Sequence, residues 1–194
     1  YIEFGRLIGH LGSCGDAKRV IELTAALTLL SEPKGDSQRF FRDPESLLDA
    51  EELDALLTAT VDALYARDPQ QLVLLLSERL EATLSIEFPD SLSRPSGDED
   101  VSEAWITSFN DPTVHTYSIK QVIAKRLGDA LVRAHDADPT QLDAVIAALQ
   151  ARRFRVFRRL EAHVLLHAGD AAAALADAVV VDPRNFWSYR PPLE

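Results

Sequence analysis

Residues 138–170 read DPTQLDAVIAALQARRFRVFRRLEAHVLLHAGD, and their spacing decides the fold class. Asp138 is placed to cap a helix and Pro139 to begin it, because proline's missing N–H would lack a partner in the first turn anyway. Leu142, Val145, Ile146 and Leu149 then recur at i, i+3, i+4 and i+7, the apolar stripe of one helix. A second helix is expected from about Arg153. Phe154, Phe157, Leu160, Val164, Leu165 and Ala168 fall on one arc, which Val156 widens toward His163 and His167. At about 100° per residue that arc covers more than half the circumference, so this helix must touch neighbours on two sides. Gly169, before Asp170, supplies the residue that most readily takes the backbone conformation ending a helix. Two helices joined this tightly form an αα-hairpin, the unit from which helical solenoids are stacked.

Working outward, the same period recurs. Ile2 to Leu11 reads as a short helix, and Asp16 caps a second running from about Ala17 to Ser31, with Val20, Ile21, Leu23, Leu27 and Leu30 inward. Asp49 to Arg67 carries Leu53, Leu56, Leu57, Val61 and Leu64 on one face. Asp68-Pro69 opens a helix over about Gln70 to Ser85 whose leucine run implies burial on several sides. Ser118 to Ala134 turns Ile119, Val122, Ile123, Leu127, Ala130 and Leu131 inward, and Ala171 to Val181 makes a last short helix. Between them, Pro33 to Pro44 is a charged connection whose Phe40 and Phe41 should pack back onto the helices. Phe88 to Asp100 collects Pro, Ser, Gly and acids, a loop or flexible boundary. Trp105, Ile106 and Phe109 should anchor the chain again, and Asn185 to Glu194 is an aromatic, proline-containing exit. No stretch reads convincingly as a strand. Asp-Pro recurs at Asp43, Asp68, Asp111, Asp138 and Asp182, at unequal spacings that prove no strict repeat.

The expected fold is therefore all-α, with about eight helices in stacked antiparallel hairpins, a HEAT-like α-solenoid fragment. A globular bundle is the alternative architecture. The stack divides into N-terminal helical repeats at 1–86, a linker at 87–112 and C-terminal repeats at 113–194, read as one continuous helical domain.

Composition narrows the class. At 194 residues the chain can bury a substantial core. No run approaches the ~18 apolar residues of a membrane span, and no basic segment followed by an apolar one marks a signal peptide. The single cysteine excludes an internal disulfide and fits a reducing, cytoplasmic setting. The net charge of −11 works against nonspecific attraction to nucleic acid or anionic lipid, without forbidding a local basic patch. There is no methionine; the chain begins YIEFGRLIGHLG, as if inside a helix, and ends Pro191-Pro192-Leu193-Glu194 without a cap, as expected of a piece of something longer.

Chemistry-bearing residues are few. His163 and His167 stand at i and i+4, a spacing that can chelate zinc, but a site needs a third ligand and no HExxH pattern is present. At the border of an apolar arc, packing or capping is the better reading. Cys14 lies in the turn Gly12-Ser13-Cys14-Gly15-Asp16 with His10 nearby, and nothing else there marks a nucleophile. The turn is no phosphate loop, since Asp16, Ala17 and Lys18 follow its second glycine. Glu51-Glu52 sits at a helix start and Asp98-Glu99-Asp100 in a loop, where acids favour the helix dipole or solubility. No catalytic residue, cofactor or metal is therefore expected. The arginines carry more. Arg152, Arg155 and Arg159 form a row with Arg158 beside it, a face that can grip phosphates or an acidic partner, or pair with acids of adjacent helices such as Asp143 or Asp129. The acidic chain favours internal pairing or a protein partner over nucleic acid.

The run SEAWITSFND, the helix KQVIAKRLGDALVRA and the stretch DPTQLDAVIAALQARRFRVFRRLEAHVLLHAG together resemble the helical-repeat regions of large bacterial STAND or NACHT-type ATPases, several of which act in anti-phage defence. The residues that carry the resemblance are Trp105, Pro139, Phe157, Arg158, Arg159, Leu160, His163 and Gly169, and the exit DPRNFWSY resembles the link to a further helical block. It covers Ser102 to Tyr189 best and Leu47 to Glu87 more loosely, and its motifs are packing motifs. In that family the ATPase precedes the repeats, and nothing in this chain matches it. The resemblance implies a non-enzymatic sensor or scaffold arm that binds protein or other domains of its parent chain. The rival is a nucleic-acid-binding protein similar to HEAT-like DNA glycosylases, using the Arg152–Arg159 face.

Overall fold

Capping chemistry sets where the helices begin. A computed structural model of the chain describes residues 2–32, 44–65, 67–88, 109 and 118–181. Among these, eight α-helices form: α1 (Ile2–Ser13), α2 (Ala17–Leu27), α3 (Ala50–Leu64), α4 (Pro69–Glu87), α5 (Ile119–Ala137), α6 (Leu142–Gln150), α7 (Val156–Ala168) and α8 (Ala173–Val181). The fold is all-α. Asp16 accepts from the Arg19 N–H at 3.2 Å at the start of α2. At α3, Asp49 and Glu52 close a reciprocal capping box, 2.8 Å to the Glu52 N–H and 3.1 Å from the Asp49 N–H, so the acidic pair at this helix start satisfies orphan donors. Asp68 and Asp138 each cap the proline-led segment that follows, although Pro139–Gln141 makes one 3-10 turn before α6 proper. Gly169 ends α7 with φ of +58°, the conformation its lack of a Cβ permits.

Two expectations need correction. The helix placed from Arg153 starts at Val156. Phe154 is buried ahead of it, its carbonyl accepting from the Phe157 N–H at 3.1 Å, so it packs from the connection. The helix expected to reach Ser31 stops at Leu27, where the Thr28 hydroxyl donates to the Thr24 carbonyl at 2.7 Å. The chain then forms a two-residue strand, β1 (Leu30–Ser31), antiparallel to β2 (Glu45–Ser46), with Leu30 opposite Ser46. Two residues carry no period, and the sequence gives no sign of them.

The apolar stripes meet in one core that runs from Ile8 in α1 to Ala172 beyond α7. Leu53, Leu56, Leu57, Val61 and Leu64 of α3 are all buried, as are Leu142, Val145, Ile146 and Leu149 of α6. Helix α4 buries Leu72, Val73, Leu75, Leu76, Leu80 and Leu84, the several-sided burial its leucine run implies. Helices two apart in the chain pack against each other: α1 on α3, α3 on α5, α5 on α7, and on the other side α2 on α4 and α4 on α6. Chain neighbours join these rows, α4 lying along α5 most extensively. In the first row the backbones come close. A Cβ at Gly12 would lie 2.6 Å from the Ala63 Cβ, so only glycine allows α1 to cross α3 there. Between α2 and α3, the Thr24 and Thr60 hydroxyls share a buried hydrogen bond of 2.9 Å.

Phe40, Phe41, the Asp98-Glu99-Asp100 run, Trp105, Ile106, the Asp-Pro steps at Asp43, Asp111 and Asp182, and the Asn185–Glu194 exit all lie outside the described residues. Phe109 is described, and it does anchor on the core as expected: its ring packs against His163, centroids 5.0 Å apart, over Gly128. No helix among the described residues is long and apolar enough to cross a membrane.

Candidate interaction face

The four arginines of the candidate face do not share one helix. Arg152 lies in the connection after α6, Arg155 just precedes α7, and Arg158 and Arg159 stand in its first turn. Arg152 reaches back to α4, donating to Glu81 at 2.7 Å. Arg158 donates to Glu161 at 3.0 Å and to the Gln150 carbonyl at 3.3 Å, tying the start of α7 to the end of α6. Glu161 is fully buried and also accepts from the Gln150 side chain at 2.5 Å, so both of its oxygens are engaged. The acids that answer Arg152 and Arg158 are thus Glu81 and Glu161. The sequence pointed to Asp143 and Asp129, and Asp129 in fact pairs with Arg126. Glu161 had a readable signal: it stands four residues from both Phe157 and Leu165, a carboxylate on the buried stripe three residues after Arg158. Glu81 had none, because its partner is far off in the chain.

Similar ties join the other helices. Arg126 of α5 grips Asp54 of α3 with two bonds of 2.8 and 2.7 Å, and turns its third nitrogen to Asp129 at 2.8 Å. Burial alone would lower the Arg126 pKa, but the hydrogen bond and charge of Asp54, with Asp129 beside it, raise it. Arg133 pairs with Asp62 and lies over the Tyr65 ring, and Lys120 pairs with the buried Glu87. Two more arginines close helix ends: Arg67 donates to the Gly12 carbonyl at the end of α1, and Arg79 to the Ala25 carbonyl and the Thr28 hydroxyl at the end of α2.

Four ties, between α3 and α5 and between α4 and α6, share a register. Asp54–Arg126 spans 72 residues, and Asp62–Arg133, Gln70–Gln141 and Glu81–Arg152 each span 71. Within each pair of helices, later residues meet later residues, so α5 lies parallel to α3 and α6 parallel to α4. Local similarities, Asp68-Pro69-Gln70-Gln71-Leu72 with Asp138-Pro139-Thr140-Gln141-Leu142 and Asp62-Ala63-Leu64 with Asp129-Ala130-Leu131, fall at other offsets and do not reproduce this register.

The histidines separate. His163 packs against Phe109, and burial lowers its pKa; Asp129 opposes that shift and His167 adds to it. His167 instead meets Asp136 of α5 at 2.8 Å and lies edge-on to His135, whose buried Nδ1 has no hydrogen-bond partner among the described residues. Among the described residues no group of three or more His, Cys, Asp or Glu side chains is gathered for a metal ion. Cys14 is exposed, its sulfur 3.7 Å from His10 Nε2, beyond the C-terminal end of α1. The flanking Gly15, with φ of +81°, serves the turn.

No family model matches this chain, and no significant match to it is found among curated proteins or among solved structures.

Proposed function

We propose that this chain is a non-enzymatic helical-repeat module, an α-solenoid segment that engages another protein or other domains of its parent chain. The observation that carries the reading is the repeated register. Helices α5 and α6 lie parallel to α3 and α4, with side chains paired 71 or 72 residues apart, which is how stacked repeats meet their neighbours. The resemblance to helical-repeat regions of STAND or NACHT-type ATPases supplies the setting: a sensor or scaffold arm of a larger bacterial, cytoplasmic NTPase, several relatives of which act in defence.

The nucleic-acid reading loses support from the arginines themselves. Arg152 and Arg158 are held by Glu81 and Glu161, so the charge of both is already answered within the chain. Duplex DNA titrated with the purified chain from about 50 to about 200 mM salt separates the two readings. The module reading expects no salt-sensitive complex; a tight one with a steep salt slope overturns it. The parental setting is tested by reading the coding sequence upstream of Tyr1. A phosphate-binding loop there supports the ATPase arm, and its absence removes that part of the proposal.

A further inference from the structure

Helices α4 and α6 leave a groove of about 190 Å³ between them, lined by Gln70, Val73, Leu74 and Ser77 on one side and Ala144, Val145, Ala148 and Arg152 on the other. Its cause is side-chain size. Ala144 and Ala148, one turn apart on α6, are too short to fill the space opposite Val73 and Leu74, and Leu74 is left 43 % exposed. The Gln70–Gln141 bond at 2.6 Å closes one end, and the Arg152–Glu81 pair at 2.7 Å closes the other. An apolar floor inside a satisfied polar rim is the anatomy of a binding patch.

We propose that this groove receives an amphipathic helix of a partner protein, apolar toward α4 and α6 and basic along its flanks. The inference rests on the interaction-module reading above. The cleft is small enough to take side chains alone, so the backbone that carries them must ride over it. An extended peptide there would leave its N–H and C=O groups facing apolar walls that offer few partners, whereas a helix satisfies its own and packs its ridge into the furrow between two others. Charge fixes the flanks. Glu78 continues the exposed ridge of Leu74, Asp143 stands beside Ala144, and both are exposed. The one cation in the lining, Arg152, is answered by Glu81, and the whole chain carries −11. A basic helix meets complementary charge; an acidic one meets repulsion.

The test uses two labelled helical peptides of about 15 residues, each with leucine and alanine on one face and either lysine or glutamate on the other, titrated by fluorescence anisotropy. The lysine peptide is expected to bind at least about tenfold more tightly than the glutamate peptide. Ala148→Phe, which fills the groove from an exposed position, should weaken it by at least about tenfold while the thermal melt stays unchanged. Glu78→Gln with Asp143→Asn should reduce affinity several-fold and flatten its salt dependence. Equal binding of the two peptides, no binding of the lysine peptide, or binding indifferent to Ala148→Phe each overturns the groove assignment. Binding that survives Ala148→Phe still leaves the interaction module standing, with its surface elsewhere. Sedimentation that shows the chain self-associating, abolished by Ala148→Phe, makes a second copy the occupant and also overturns the proposal.

Discussion

The two rows of helices meet their neighbours in opposite ways. Along α1, α3 and α5 the seams are closed: glycine lets α1 press onto Ala63, and Arg126 locks α5 to α3 through Asp54. Along α4 and α6 the seam is sealed at its two ends and open between them. Small residues serve both outcomes. A glycine at a close crossing brings backbones together, whereas alanines facing across a wider seam leave a furrow. Residue size alone therefore does not predict packing; what decides is where the neighbouring backbone has been fixed by longer side chains.

Substitutions can break or sharpen that contrast. The largest effect is expected at the closed crossing, where Gly12→Val drives a branched side chain into Ala63 and should cost about 2 to 3 kcal/mol in denaturant unfolding. Next comes Arg126→Ala. Its side chain is 17 % exposed and holds two acids, so loss should cost about 1 to 2 kcal/mol, between a surface pair and a buried one. A smaller, pH-dependent effect belongs to His163. Its folded pKa lies below the ordinary value, so the unfolded chain binds the extra proton first. The stability it contributes is complete above about pH 6.5 and falls as pH drops through that value toward the folded pKa. Melts between about pH 7.5 and pH 5 should show this loss, reduced in His163→Gln. The smallest change is expected from Ala148→Phe, within about 0.5 kcal/mol, because the furrow has room. If Ala148→Phe destabilises as much as Gly12→Val, the two rows do not differ.

Much of this was legible from local pattern. The inward residues of α3, α4, α5 and α6, the caps at Asp16, Asp68 and Asp138, and the terminating Gly169 all follow from a period of 3.6 and from backbone chemistry that acts within four residues. What escaped is what local pattern does not encode. Phe154 is buried from outside a helix, so its place on the arc misplaced the start of α7. Leu30–Ser31 pairs with Glu45–Ser46 across a connection, too briefly to alternate. Internal pairing of the candidate arginines was expected with acids such as Asp143 or Asp129, because Glu81 is invisible from Arg152 until α4 and α6 are laid side by side. His163 and His167, neighbours on one turn, part company because Phe109 reaches one and Asp136 the other.

The constant register also bears on how the chain assembles. Helical proteins fold quickly when partners are close in sequence, yet the ties that lock α5 to α3 span 71 or 72 residues. Closing a loop of that length costs about 1.5 kcal/mol more entropy than closing one of about 12 residues. During synthesis Asp54 and Asp62 leave the ribosome well ahead of Arg126 and Arg133, so these acids meet their α5 partners only after α5 has followed.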